Sequence, residues 1–149
     1  MAVDPIPVGH HTVTPYLTVP GVARLIEFAV EAFGAVEVGR MQTPDGVVLH
    51  AQIRIGDSIV MLGEPSPAVP RINGRLYLYV KDVDATYRRA LKAGATSLRE
   101  PADQFYGDRN AAVTDPSGNM WNIATHVKDV SIEELHRIAQ SMPPTPARS

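Results

Sequence analysis

The sequence predicts an α+β fold: two βαβββ modules paired about a pseudo-twofold, with one more helix at the C-terminal end. Three observations predict it. A motif repeats 61 positions apart, each copy runs into a helical period closed by glycine, and each helix leads to strand patterns split by turn signals.

The repeat is read first. Tyr16, Leu17, Val19 and Val22 recur as Tyr77, Leu78, Val80 and Val83. In the first copy Val22, Leu25, Ile26, Ala29 and Phe33 share a helical face, and Gly34 stands where a helix C-cap glycine belongs. In the second, Val83, Tyr87, Ala90 and Leu91 share a face, Asp82 is a candidate N-cap, and Gly94 stops the helix. Thr43-Pro-Asp-Gly is a turn signal before a strand over Val47–Ile55, and Gly56-Asp-Ser turns the chain into Ile59–Leu62. The second copy offers Asn110–Thr114, the turn Asp115-Pro-Ser-Gly, then Met120–Thr125. The proline-bearing stretch Glu64–Gly74 links the copies, and Ser141–Ser149 is a Pro-rich tail that cannot pack as helix or strand. Ser131 with Glu134 forms a capping box for a last helix striped by Ile132, Leu135, Ile138 and Ala139.

One such unit of about 60 residues buries too little surface to be comfortable alone, so two units sharing a core are expected. The 149 residues are read as one domain, with module one over about 12–66, module two over about 74–128, and the C-terminal helix over about 131–141.

Composition removes several function classes. The net charge is -2 and no run of Lys or Arg occurs, so no field draws in nucleic acid or anionic lipid. The chain has 0 cysteines, which excludes disulfides, thiolate zinc sites and a Cys nucleophile. The opening residues do not read as a signal peptide, no apolar stretch is long enough to span a bilayer, and a cytoplasmic location is expected. There is no phosphate-binding glycine loop and no Ser-His-Asp pattern.

Strand alternation nominates a ligand face. Val47, Leu49, Ala51, Ile53 and Ile55 form an apolar set expected against the helices, leaving Val48, His50, Gln52 and Arg54 on the other side. Arg75, Tyr77 and Tyr79 separate in the same way from Leu76, Leu78 and Val80. Thr14, Tyr16 and Thr18 join the polar side, as do Asn122, Ala124 and His126, with Trp121 and Ile123 as core. Aromatic walls with a few placed polar groups suit a small-molecule pocket. The candidate ligand-binding residues are Tyr16, Gln52, Arg75, Tyr77, Tyr79, Asn122 and His126. His50 is the candidate general base, since histidine titrates near neutral pH, with Arg75 or Arg109 steadying an anion. Each has a plainer reading: His50 as a hydrogen-bonded strand histidine, Asp108 and Arg109 as a structural ion pair.

Thr14-Pro-Tyr-Leu-Thr-Val, His50-Ala-Gln-Ile-Arg-Ile-Gly-Asp-Ser, Leu78-Tyr-Val-Lys-Asp-Val-Asp-Ala and Asp115-Pro-Ser-Gly-Asn-Met-Trp-Asn together resemble the glyoxalase, bleomycin-resistance and dioxygenase family, the vicinal oxygen chelate superfamily. Within it, Pro101-Ala-Asp-Gln-Phe-Tyr-Gly-Asp-Arg resembles the PhnB-like branch, although Ala29 stands where that branch usually carries tyrosine. The resemblance covers roughly Thr14 to Val130. It implies the glyoxalase fold, a ligand on the concave faces and a homodimer. It also implies metal-ligand positions at Thr14, Met61, Arg75 and Asn122, none of which is His, Asp, Glu or Gln. No metal and no cofactor are therefore expected. Three functions stay open: a metal-free small-molecule binding protein, a metal-independent enzyme using His50, and a metal-dependent lyase, isomerase or dioxygenase with an unconventional site from His50 and His126.

Overall fold

The computed structural model describes residues 2–146, so Met1 and the last three residues of the predicted tail, Ala147–Ser149, lie outside the described residues. The elements run β1 (Tyr16–Thr18), α1 (Val22–Phe33), β2 (Val36–Gln42), β3 (Val48–Ile55), β4 (Ser58–Gly63), β5 (Arg75–Tyr79), α2 (Val83–Lys92), β6 (Thr96–Asp103), β7 (Asp108–Thr114), β8 (Met120–His126) and α3 (Ile132–Ser141). This is βαβββ twice, followed by a helix. The sheets have matching orders, β1-β4-β3-β2 and β5-β8-β7-β6. Tyr16 lies opposite Met61 as Tyr77 lies opposite Asn122, so the 61-residue repeat in sequence is a repeat in register.

Each helix forms where its residues can bury one face. α1 buries Val22, Leu25, Ile26, Phe28, Ala29 and Ala32, and Gly34 ends it at φ 67, a conformation that costs glycine least. α2 is capped by the Asp82 carboxylate, which accepts from the Ala85 N–H at 3.1 Å. It buries Val83, Thr86, Tyr87 and Ala90. Leu91, expected on that face, is 36% exposed, because it lies at the edge of the stripe that Val83, Tyr87, Ala90 and Ala93 carry into the core.

The two helices hold the modules together. α1 packs on α2, and one hydrophobic core runs from Leu17 through to Ile123. The Phe33 ring at the end of α1 meets Trp121 of β8 at 4.8 Å between centroids. Arg24 of α1 donates to Ala93 O at 3.2 Å and Arg89 of α2 donates to Ala32 O at 3.4 Å, so each helix puts a cation on the other's negative C-terminal end. The N-termini are closed from the sheets. Glu64 accepts from Gly21 and Val22 N–H at 3.0 and 2.9 Å, and in the second module Thr125 accepts from Val83 N–H at 3.0 Å.

The linker is not free. Ile72 bridges Thr18 on the edge of β1, while Arg71 and Asn73 donate to Ser117 O at 2.7 and 2.9 Å. α3 has its predicted Ser131 cap, yet none of its residues is buried and Ile132 at the head of its stripe is 81% exposed. Glu134 pairs with Arg137 at 2.7 Å instead of closing the capping box. Among the described residues no helix is long and apolar enough to cross a membrane.

Candidate ligand-binding faces

Because both helices lie on one side of the sheets, the other side of each sheet is left open. Tyr16, Leu49 and Met41 are exposed in the first module, and Tyr77 and Tyr79 in the second.

In module one, Tyr16 Oη and His50 Nδ1 are 3.0 Å apart and Gln52 Nε2 is 3.2 Å from His50 Nε2. An amide nitrogen only donates, so His50 Nε2 accepts, Nδ1 carries the proton, and Tyr16 receives it. The Tyr16 hydroxyl proton is thereby left for a ligand. The nitrogen His50 would use as a base is occupied by Gln52. Alternation in β3 holds from Ala51 to Ile55 but breaks before it. Met41 pairs with His50 and Gln42 with Val48, which leaves Leu49 as an unpaired bulge residue. As a result Val48 is core at 1% exposure and Leu49 stands out at 51%, the reverse of the expected phase. Leu49 joins Tyr16, Thr18, Gly63, Glu64, Ser66, Val69 and Ile72 around a cavity of about 550 Å³. His50 and Gln52 lie outside that lining.

In module two the centre is a residue the sequence reading left with Arg109. Asp108 is 4% exposed and accepts from Tyr77 Oη at 2.7 Å and Tyr79 Oη at 3.0 Å. His126 Nδ1 lies 2.8 Å from the same carboxylate and Nε2 lies 2.7 Å from Asp129. Both partners are acceptors, so both ring nitrogens must carry hydrogen and His126 is an imidazolium here. Burial pushes the Asp108 carboxyl up, but the bonds from His126, Tyr77 and Tyr79 together hold it below the usual carboxylate range. Burial and Asp108 raise the Tyr77 hydroxyl, and Asp129 and Asp108 raise His126.

These shifts set a pH dependence. A raised histidine stabilises fully below its ordinary value of about 6.5 and loses that contribution as pH climbs through its folded value. A lowered carboxyl contributes above its ordinary value of about 3.9 and loses it as pH falls. The stability gap between the protein and His126→Gln should therefore be widest at about pH 5–6 and narrow towards pH 9. Urea midpoints at both pH values measure it, and a gap independent of pH would refute this reading.

Arg109 is not brought to this face. It is next to Asp108 in β7, so its side chain points to the helices, where it binds Asp84 of α2 at 2.8 Å and Asp103 of β6 at 3.3 Å. The expected Asp108–Arg109 ion pair is absent for the same reason. Between the arginine ends of this face lies a pair of buried amides: Arg75 Nε donates to Asn122 Oδ1 at 2.9 Å, Asn122 Nδ2 donates to Asn110 Oδ1 at 3.3 Å, and Arg99 Nη2 donates to the same Asn110 oxygen. Alternation along Asp108–Thr114 would have found Asp108 and Asn110. Nothing in the sequence marks the Leu49 bulge.

The family's ligand positions do not fit a divalent metal. Met61 offers a thioether, Thr14 a hydroxyl, Arg75 a fixed cation, and the one amide oxygen, on Asn122, is taken by Arg75. Among the described residues no group of three or more His, Cys, Asp or Glu is placed to hold a metal.

Solved structures share this fold. TioX from Micromonospora sp. ML1 superposes with a TM-score of 0.63 at 28% identity, covering 79% of this chain and 98% of that one. TnmS3, an antibiotic binding protein from Streptomyces sp. CB03234, superposes with a TM-score of 0.63 at 24% identity, over 85% of this chain and 98% of its own. The sequence profile of the Glyoxalase/Bleomycin resistance protein/Dioxygenase superfamily matches residues 9–123. The chain belongs to that superfamily. An uncharacterised Mycobacterium bovis protein is 39% identical over 139 residues, which is 86% of this chain and 91% of that protein. The superfamily's two-module fold accounts for the 61-residue repeat, the equal sheet orders and the two open faces.

Proposed function

We propose that this superfamily member is a metal-free small-molecule binding protein that works as a homodimer. The observation that carries it is the fate of Asn122: at the position where metal-using relatives place a ligand, its oxygen serves to hold Arg75. The open faces support the rest. Tyr16, Tyr77 and Tyr79 offer aromatic walls, and Leu49 and Met41 leave apolar surface that a second copy would cover. TnmS3, described as an antibiotic binding protein, has the same fold, which makes small-molecule binding a use this architecture serves. The two modules act as one domain through their shared core, in a cytoplasmic setting, and the motif from Pro101 to Arg109 supports a place in the PhnB-like branch.

Added zinc, nickel, manganese or iron should leave the thermal midpoint where EDTA leaves it, because a metal bound to the native state would raise it. A metal-dependent rise abolished by Asn122→Ala would overturn the metal-free reading. Light scattering at micromolar concentration should give twice the chain mass, and a monomer mass would remove the dimer. Aromatic metabolites that raise the midpoint should bind about 2–4 kcal/mol more weakly to the Arg75→Ala, Tyr77→Ala double variant, from lost stacking and one lost charge-assisted bond. Undiminished binding would move the site elsewhere.

A further inference from the structure

We infer that the open face of the second module holds an aromatic carboxylate, with its acid group between Arg75 and Arg99. This rests on the reading of that face as ligand-binding and adds the ligand's chemistry and orientation to it.

The argument begins with hydrogen-bond supply. Arg75 on β5, Asn122 on β8, Asn110 on β7 and Arg99 on β6 form one polar row across all four strands. Arg99 and Asn122 both donate to Asn110 Oδ1, which fixes that amide and turns its Nδ2 the other way. Asn110 Nδ2 is buried and has no hydrogen-bond partner among the described residues. Burial and Asp108 raise the Tyr77 hydroxyl and Asn110 acts against them, but Asn110 Nδ2 makes no bond of proper geometry to it. Asn122 Oδ1 and Asn110 Oδ1 are both taken by arginine donors, while donors remain on both guanidiniums. The row is thus rich in donors.

Charge points the same way. Among the described residues the ion pairs are made by Arg40, Arg109, Arg137 and His126, and none by Arg75 or Arg99. The amides that steady the two arginines, Asn110 and Asn122, are buried at 0% and 2% exposure, so the cations are held in place by groups that do not neutralise them. A planar carboxylate matches the guanidinium fork. The ring then has one place to go. Tyr77 follows Arg75 by two residues on the same face, and the Tyr77 and Tyr79 rings lie 5.2 Å apart. Asp108, two residues before Asn110 on β7, puts negative charge at the far end of the face, which excludes a second anionic group there and orients the ligand acid-end to Arg75.

The test is an NMR titration of the full chain, labelled with nitrogen-15, using 2-naphthoate and its neutral isostere 2-naphthamide. Naphthoate should bind at least about tenfold more tightly, the size of one charge-assisted bond, with shifts on β5 to β8. Arg99→Gln and, independently, Arg75→Gln should bring the ratio near one, and Arg99→Lys should retain the preference. Equal binding of both probes on those strands would overturn the anion site and leave the ligand face standing. No binding of naphthoate at millimolar concentration would also overturn it. Shifts confined to the helices would overturn both the site and the face.

Discussion

Asp115→Ala should destabilise the protein by about 3–5 kcal/mol, the largest effect expected of any single polar substitution here. The carboxylate is 4% exposed and accepts four hydrogen bonds: from Ser117 N–H at 2.8 Å, Asn119 N–H at 3.0 Å, Asn119 Nδ2 at 2.9 Å and Trp121 Nε1 at 2.7 Å. Alanine leaves all four donors without that acceptor, and several are too buried for water to replace it. The damage would spread, because this turn is also where the modules meet. Ser117 Oγ donates to Pro20 O at 2.9 Å, and Ser117 O receives Arg71 and Asn73 from the linker. Urea unfolding followed by Trp121 fluorescence would measure the loss. A cost below about 1 kcal/mol would mean the turn does not organise the junction.

Gly107→Ala is the second. At φ 98 the backbone is in a region side chains rarely adopt, and a Cβ would stand 2.0 Å from Lys128 O. The neighbouring atom is backbone and cannot swing aside. Gly107 O also accepts from Val127 and Lys128 N–H at 2.9 and 3.0 Å, which ties down the segment leading to α3. The expected cost is roughly 2–4 kcal/mol, with the Val127 and Lys128 amides exchanging fastest in the variant. Wild-type stability with unchanged exchange would show that the segment can shift at no cost.

The architecture was legible because duplication wrote it twice. Tyr16 and Tyr77, Gly34 and Gly94, and the two helical periods each supported the other, so the sheet orders followed. The Asp82 and Ser131 caps were legible because capping is local. What escaped was decided by contacts distant in sequence. Asp115 looked like a turn residue, and only folding brings the Trp121 nitrogen onto it. Arg109 looked like an anion-binding group, and its face is set by a strand register that turns it to Asp84. Glu64 looked like the start of a linker, yet it caps α1, as Thr125 caps α2 61 residues later. The repeat itself would have paired those two positions, had it been carried past the first strands.

The unpaired Leu49 means that the lining of the first module is controlled by strand length as well as by residue identity. Deleting that one residue would make the pairing of Met41 with His50 and of Gln42 with Val48 continuous and remove the bulge. Val48 would keep its place in the core, and the outward-standing Leu49 side chain would be lost from the cavity wall, with no residue on β1 or β4 altered. A single-codon deletion there would therefore open one cavity wall in one step, leaving Tyr16 and His50 where they stand.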